Sequence, residues 1–189
     1  MKKFIDESWL VLVMGIVFAA LLAGTQTSLQ PRIIANEVAT LNDAIAEVVP
    51  DVDKTEMIKI DGNEVYKCLD AAGQPIGWAV KAEGAGFIDK ITLVAGLTLE
   101  GDKLTGIKAI KHTETPGLGN KIDTKDTQNF YPLQYEKKAT ERPFELVKRD
   151  PVADHEIQAI TGATYSSQYV MDIVNDVITR IRPKLAEHR

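Results

Sequence analysis

The sequence predicts an α+β domain, a mostly antiparallel sheet with flanking helices, preceded by one N-terminal transmembrane helix. Three observations predict it. A long uncharged apolar run opens the chain, short apolar segments broken by turn residues fill its middle, and a helical stripe of apolar residues lies near its end.

From Trp9 to Leu29 no residue is charged, and Arg32 is the next charge. A helix over that run is roughly 30 Å long, about the thickness of a bilayer core. Trp9 sits where an interfacial aromatic anchor would sit. Three other readings compete. A buried core helix normally has one apolar stripe, and this run is apolar on every face. A cleaved signal peptide needs a small-x-small site after its apolar core. Ala20-Leu21-Leu22-Ala23 does not supply a clean one, and Thr25 stands where a lipoprotein would need cysteine. The reading adopted is an uncleaved anchor. Lys2 and Lys3 flank its N-terminal end, with Arg32 as a single opposing charge. The positive-inside rule then puts residue 1 in the cytoplasm and everything after about residue 30 outside it. The expected division is a cytoplasmic tip and anchor at 1–30, a helical connector at 31–55 and a globular domain at 56–189.

In the connector, Ile33, Ile34, Val38, Leu41, Ile45 and Val48 or Val49 recur at helical spacing, and Pro50 ends the pattern. Strands follow. Asp61-Gly62 is a tight-turn signal between Ile58–Ile60 and Val65–Leu69. Ala71 to Pro75 separates that strand from Ile76–Ala82, and Gly84-Ala85-Gly86 is expected to interrupt the next one. Ile91, Leu93 and Ala95 alternate, as do Leu97 and Leu99, and Gly101-Asp102 turns the chain into Leu104–Ile110. Connections this short favour antiparallel pairing. Thr113 to Asn120 reads as a loop, Asp123 to Tyr131 as a short helix, Phe144 to Lys148 as a strand, and Ile157 to Ile160 as a second short apolar run. Ser166 to Ile181 is helical, with Tyr169, Val170, Ile173, Val174, Val177 and Ile181 on one stripe, and Pro183 is expected to stop it.

Bulk properties exclude several classes. With 26% charged and 44% hydrophobic residues the chain is globular rather than disordered. A net charge of -5 with no basic patch argues against nucleic acid as a partner. The single cysteine, Cys68, makes no internal disulfide and builds no zinc or iron–sulfur site alone, and it reads as a half-buried strand residue. No His or Cys pair has ligand spacing, so no metal is expected.

The segment that carries chemistry is Ile160-Thr161-Gly162-Ala163-Thr164-Tyr165-Ser166-Ser167, between an apolar strand and an amphipathic helix. Its small residues allow another group close to the backbone. A helix start presents unpaired N–H groups and the positive end of the dipole, a setting suited to phosphate. The plainer alternative is an ordinary helix cap, for which Ser and Thr are common choices.

Two further stretches stand beside it: His112-Thr113-Glu114-Thr115-Pro116-Gly117-Leu118-Gly119, and Gly84-Ala85-Gly86-Phe87 ahead of a strand. Thr161-Gly162-Ala163-Thr164 followed by Ser166 or Ser167 resembles the flavinylation motif of the FMN-binding domain family. The His112 to Gly119 loop resembles that family's second motif. The family includes the G subunit of Rnf/Rsx electron-transport complexes and the C subunit of the sodium-pumping NADH:quinone reductase. The resemblance covers about residues 60 to 180, and the short chain with one anchor is more like the Rnf G subunit. It implies that a flavin transferase moves FMN from FAD onto Thr164 as a phosphoester. It also implies that Thr161, Gly162, Ala163, Ser166 and Ser167 surround the attachment point, and that Glu114, Thr115, Gly117, Leu118 and Gly119 lie against the flavin. One position departs from the pattern: Gln158 stands where the family often carries Asp. His112 is either a further flavin contact or structural.

The function expected from the resemblance is a membrane-anchored electron carrier with covalent FMN, one subunit of an ion-translocating complex. Such complexes couple electron flow between ferredoxin and NAD to sodium or proton movement. The other membrane subunits would be its partners. The anchor has no charged interior position, so ion translocation is expected to depend on those partners. No acid–base catalytic residue is assigned to this chain. The rival readings are an anchored flavin reductase with its own substrate, the quinone-reductase C subunit, and a non-redox binding module in which Thr164 only caps a helix.

Overall fold

The computed structural model describes residues 2–123 and 131–188. The short helix expected over Asp123 to Tyr131 falls largely outside the described residues. Residues up to Thr40 and residues from Leu41 onward form two separate compact units.

The anchor and the connector helix are one element, α1 (Lys2–Val48), which runs through Pro31 without a break. A proline inside a helix removes one backbone bond. Around that point Thr25 and Thr27 donate their hydroxyls to the carbonyls of Leu21 and Ala23, both at 2.8 Å. Among the described residues this helix alone is long and apolar enough to cross a membrane, and its apolar window is not buried in protein.

Five strands follow as an antiparallel meander in spatial order: β1 (Lys54–Ile60), β2 (Asn63–Leu69), β3 (Pro75–Ala85), β4 (Lys90–Thr98) and β5 (Leu104–Lys111). The Asp61-Gly62 turn behaves as expected: both residues have positive φ, 49° and 84°, and set the register Ile60 to Asn63. Gly84 and Ala85 do not interrupt β3, which pairs through Ala85 opposite Lys90. Gly84 is needed for another reason. A Cβ there would lie 2.5 Å from Ile173 Cγ1, so the glycine lets the last long helix approach the sheet.

That helix is α2 (Thr164–Asp176), which covers one face of the sheet. Its stripe of Val170, Ile173, Val174, Val177 and Ile181 packs in one core with Val65, Trp78, Val80, Leu93, Ala95 and Leu97. Pro183 does not end the helical path. A π-helical turn at Val177–Ile181 shifts the register, and Pro183 then falls in the first turn of α3 (Arg182–Leu185), which continues the helical path. Burial of Ile181 and Leu185, worth about 1.5–3 kcal/mol each, offsets the irregularity.

The opposite face of the sheet is covered too. Ala44, Ile45, Val48 and Val49 pack on Cys68, Ala79 and Val94. The Thr105 hydroxyl donates to the Val48 carbonyl. Glycines make the seat: a Cβ on Gly96 would lie 2.6 Å from Val48 O. β4 is therefore buried on both faces from Ile91 to Leu97. Cys68 is fully buried rather than half-buried, and burial pushes its thiol up to about 12. Outside the meander, β6 (Glu145–Val147) and β7 (Glu156–Gln158) form a small parallel pair, and β7 leads into the start of α2.

Candidate functional site

The three stretches singled out in the sequence meet at one carboxylate. Glu114 is buried, at 4% exposure. Its Oε1 accepts the Phe87 N–H at 2.7 Å, and its Oε2 accepts the Ser166 hydroxyl at 2.6 Å. A Cβ on Gly86 would lie 2.6 Å from Oε1, and one on Gly119 would lie 2.9 Å from Oε2 and 2.7 Å from Ser166 Oγ. Both glycines are thus required by the close passage of backbone around this side chain.

The loop from His112 to Gly119 is built by its own hydrogen bonds. The Thr115 carbonyl accepts the N–H groups of Leu118 at 3.2 Å and Asn120 at 3.1 Å. Gly117 takes φ +77°, a conformation that L side chains rarely adopt. His112 Nδ1 accepts the Glu114 N–H at 3.3 Å, which leaves its proton on Nε2, 3.1 Å from Asp123 Oδ2. Both ring nitrogens therefore hold the loop.

At the start of α2 the N-cap position is Ala163, and no side chain caps the helix. Thr164 is the first helical residue, half-buried, and its hydroxyl makes no hydrogen bond among the described residues. Ser166 and Ser167 turn inward instead. The Ser167 hydroxyl accepts the Ile160 N–H and donates to the Ala163 carbonyl, both at 3.0 Å. The first intrahelical bond runs from Ser167 N–H to Ala163 O, so the amides of Thr164, Tyr165 and Ser166 have no backbone partner among the described residues. Below them, the Tyr131 hydroxyl donates to the Ser167 carbonyl at 2.6 Å and lies 2.9 Å from the Tyr135 hydroxyl. Burial raises the pKa of both phenols, so both remain donors.

Before the helix, Thr161 is exposed and Gly162 takes φ +82°, with Leu118 Cδ2 3.1 Å from where its Cβ would be. Gln158 exchanges hydrogen bonds with Gln134: its N–H donates to Gln134 Oε1 at 2.7 Å, and its carbonyl accepts from Gln134 Nε2 at 3.1 Å. The side-chain amide of Gln158 donates to Asp150 Oδ1 at 3.0 Å. The sequence did not single out one contact: the rings of Phe87 and Tyr165 stack, with centroids 5.7 Å apart and planes 13° apart. Gly86-Phe87 was visible as a motif, but its partner across the sheet-to-helix boundary was not.

Residues 86–179 match the family described as FMN-binding domain. The chain is 32% identical to the G subunit of an ion-translocating oxidoreductase complex from Methanosarcina acetivorans, over 89% of each protein. The chain belongs to the G-subunit family of ion-translocating oxidoreductase complexes. Another member of that family is the G subunit of the proton-translocating ferredoxin:NAD(+) oxidoreductase complex of Clostridium ljungdahlii. It is 30% identical over 89% of this chain and 84% of its own length. Among solved structures, NqrC of Shewanella oneidensis shares the fold, with a TM-score of 0.54 over 73% of this chain and 70% of that one at 17% identity.

Proposed function

We propose that this G-family chain is a membrane-anchored electron carrier whose FMN is esterified through its phosphate to Thr164. The carrying observation is the start of α2: a Thr164 hydroxyl that bonds to none of the described residues, beside amides that no described side chain caps. The residues there fit the group. Unpaired N–H donors and the positive end of the helix dipole suit a phosphate diester that keeps its negative charge. The open surface beside them, at Leu118 and the Phe87–Tyr165 pair, suits a flat aromatic ring.

When bound, FMN supplies one- and two-electron redox chemistry, and the protein supplies position and surroundings. Glu114 fixes the loop of Thr115, Gly117, Leu118 and Gly119 against the helix start, through Ser166. Ser167 holds the turn of Thr161, Gly162 and Ala163 by its bonds to Ile160 and Ala163. The proposed division of the chain is tip and anchor at 1–30, connector at 31–55 and FMN-binding domain at 56–189. The proposed topology is a single pass, with a cytoplasmic N-terminus and the flavin domain on the other side. The proposed partners are the other membrane subunits of the complex and, during maturation, a flavin transferase. The names of the relatives support a role in ion-coupled electron transfer.

Intact mass and mapping of the peptide spanning 158–168, on protein from its native host, test the assignment. The expected result is one FMN on that peptide, lost in Thr164→Val while the far-UV circular dichroism is kept. A variant that retains covalent flavin overturns the residue assignment.

A further inference from the structure

We propose that the ring of Tyr165, backed by Phe87, is the face on which the isoalloxazine of a Thr164-borne flavin stacks. The inference rests on the reading that Thr164 carries FMN, and it names the seat of the ring. Three observations carry it.

The first is exposure. Tyr165 is 67% exposed and Phe87 57%, although Ser166 and Ser167 on the same helical turn are buried. Two large stacked rings this exposed leave apolar surface in water, and such surface on a folded protein marks a contact site.

The second is rigidity. The Phe87 amide is fixed by buried Glu114, and the preceding Gly86 is packed so closely that a Cβ would lie 2.3 Å from Asp89 O. Phe87 is thereby held as a backing plate. Its near-parallel, offset contact with Tyr165 is the arrangement aromatic pairs prefer, and a Tyr165 ring this exposed has surface left for a third ring.

The third is connectivity. Tyr165 directly follows Thr164 in the chain. A ring tethered to Thr164 is therefore presented to Tyr165 at high effective concentration, and a modest stacking preference suffices to hold it. On the Gly162 side the neighbouring side chain is Leu118, an aliphatic contact without a π face.

The test uses the full chain in detergent, flavinylated in the cell, with emission normalised to covalent flavin measured by mass. A phenol in contact with an excited flavin donates an electron to it and quenches its emission; phenylalanine and leucine do not. Emission per covalent flavin should be well below that of free FMN in the unsubstituted protein. In Tyr165→Leu it should rise about three- to fourteen-fold, the range set by an ordinary aromatic stacking preference. Tyr165→Phe should also brighten the flavin but keep its visible circular dichroism, which Tyr165→Leu should lose. Emission unchanged in Tyr165→Leu, with flavin still on the 158–168 peptide, overturns the stacking and leaves the Thr164 assignment intact. An unmodified peptide in the unsubstituted protein overturns both.

Discussion

Replacing Glu114 with Ala removes a side chain that joins the segment at Phe87, its own loop and the start of α2. The carboxylate accepts two short hydrogen bonds, at 2.7 and 2.6 Å, and a long one from the Ile88 N–H at 3.5 Å, and is almost wholly out of water. Bonds to a charged acceptor contribute about 1.5–3 kcal/mol each, so the loss is about 3–6 kcal/mol. Two of the residues that pass closest to the carboxylate, Gly86 and Gly119, have no side chains with which to refill the space. For a domain of this size each kcal/mol shifts the thermal midpoint by about 2–4 °C, so the expected drop is about 6 °C at the least. Glu114→Gln keeps a carbonyl for the Phe87 amide and turns an NH2 toward Ser166 Oγ, so it loses only the charge assistance, about half as much. The assay is urea unfolding of the full chain in detergent, followed by emission of the buried Trp78. A loss below about 1 kcal/mol in Glu114→Ala, or equal losses in the Ala and Gln variants, would refute the reasoning.

Gly96→Ala should destabilise by about 1–3 kcal/mol, because its Cβ would meet the Val48 carbonyl, which cannot rotate aside. Gly106→Ala is the control: the nearest atoms lie 3.8 Å away, and its urea midpoint should stay near that of the unsubstituted protein. Glu156 predicts a pH dependence. Bonds from the Arg149 guanidinium and from the amides of Val152 and Ala153 hold its carboxyl down to about 2, against an ordinary 4.5. A depressed folded-state value stabilises the protein above the unfolded value, and that stability is lost as pH falls from 4.5 toward 2. Unfolding midpoints measured across that window should fall less steeply in Arg149→Met; parallel profiles would count against the pairing.

Much of the fold was legible because local chemistry and tertiary structure agree. Asp61-Gly62 can take the positive φ angles that a two-residue turn needs, so the first hairpin could be read from two residues. The apolar stripe from Val170 to Ile181 likewise matches the buried face of α2 and the turn after it. The failures share one cause, which is that the deciding partner is remote in sequence. Gly84 looked like a strand breaker, whereas it is a clearance for Ile173. Pro183 looked like a stop, and no local rule could announce the π turn that re-registers the helix before it. In the site, the motif residues could be named one by one. That Glu114 reaches Ser166, 52 positions away, and that Phe87 lies on Tyr165, depend on the register of the sheet against α2.

The same geometry explains why one hydroxyl of the motif is suited to esterification and its neighbours are not. Ser166 donates its hydroxyl hydrogen bond to Glu114, and Ser167 is held between Ile160 and Ala163. Esterifying either would break a buried bond and force a phosphate into the core, where an unpaired charge is strongly unfavourable. Thr161 is exposed, but it precedes the turn at Gly162 and lies outside the helix. Thr164 alone among the four combines a hydroxyl without a partner among the described residues and a place in the first turn of α2. A phosphate there meets the amides of the first turn and gains about 0.3–1 kcal/mol from the helix dipole, without the burial that Ser166 and Ser167 would impose on it. The inward-facing serines therefore have two effects: they tie the helix start to the sheet, and by leaving the N-terminal amides uncapped they keep the anion position open beside Thr164.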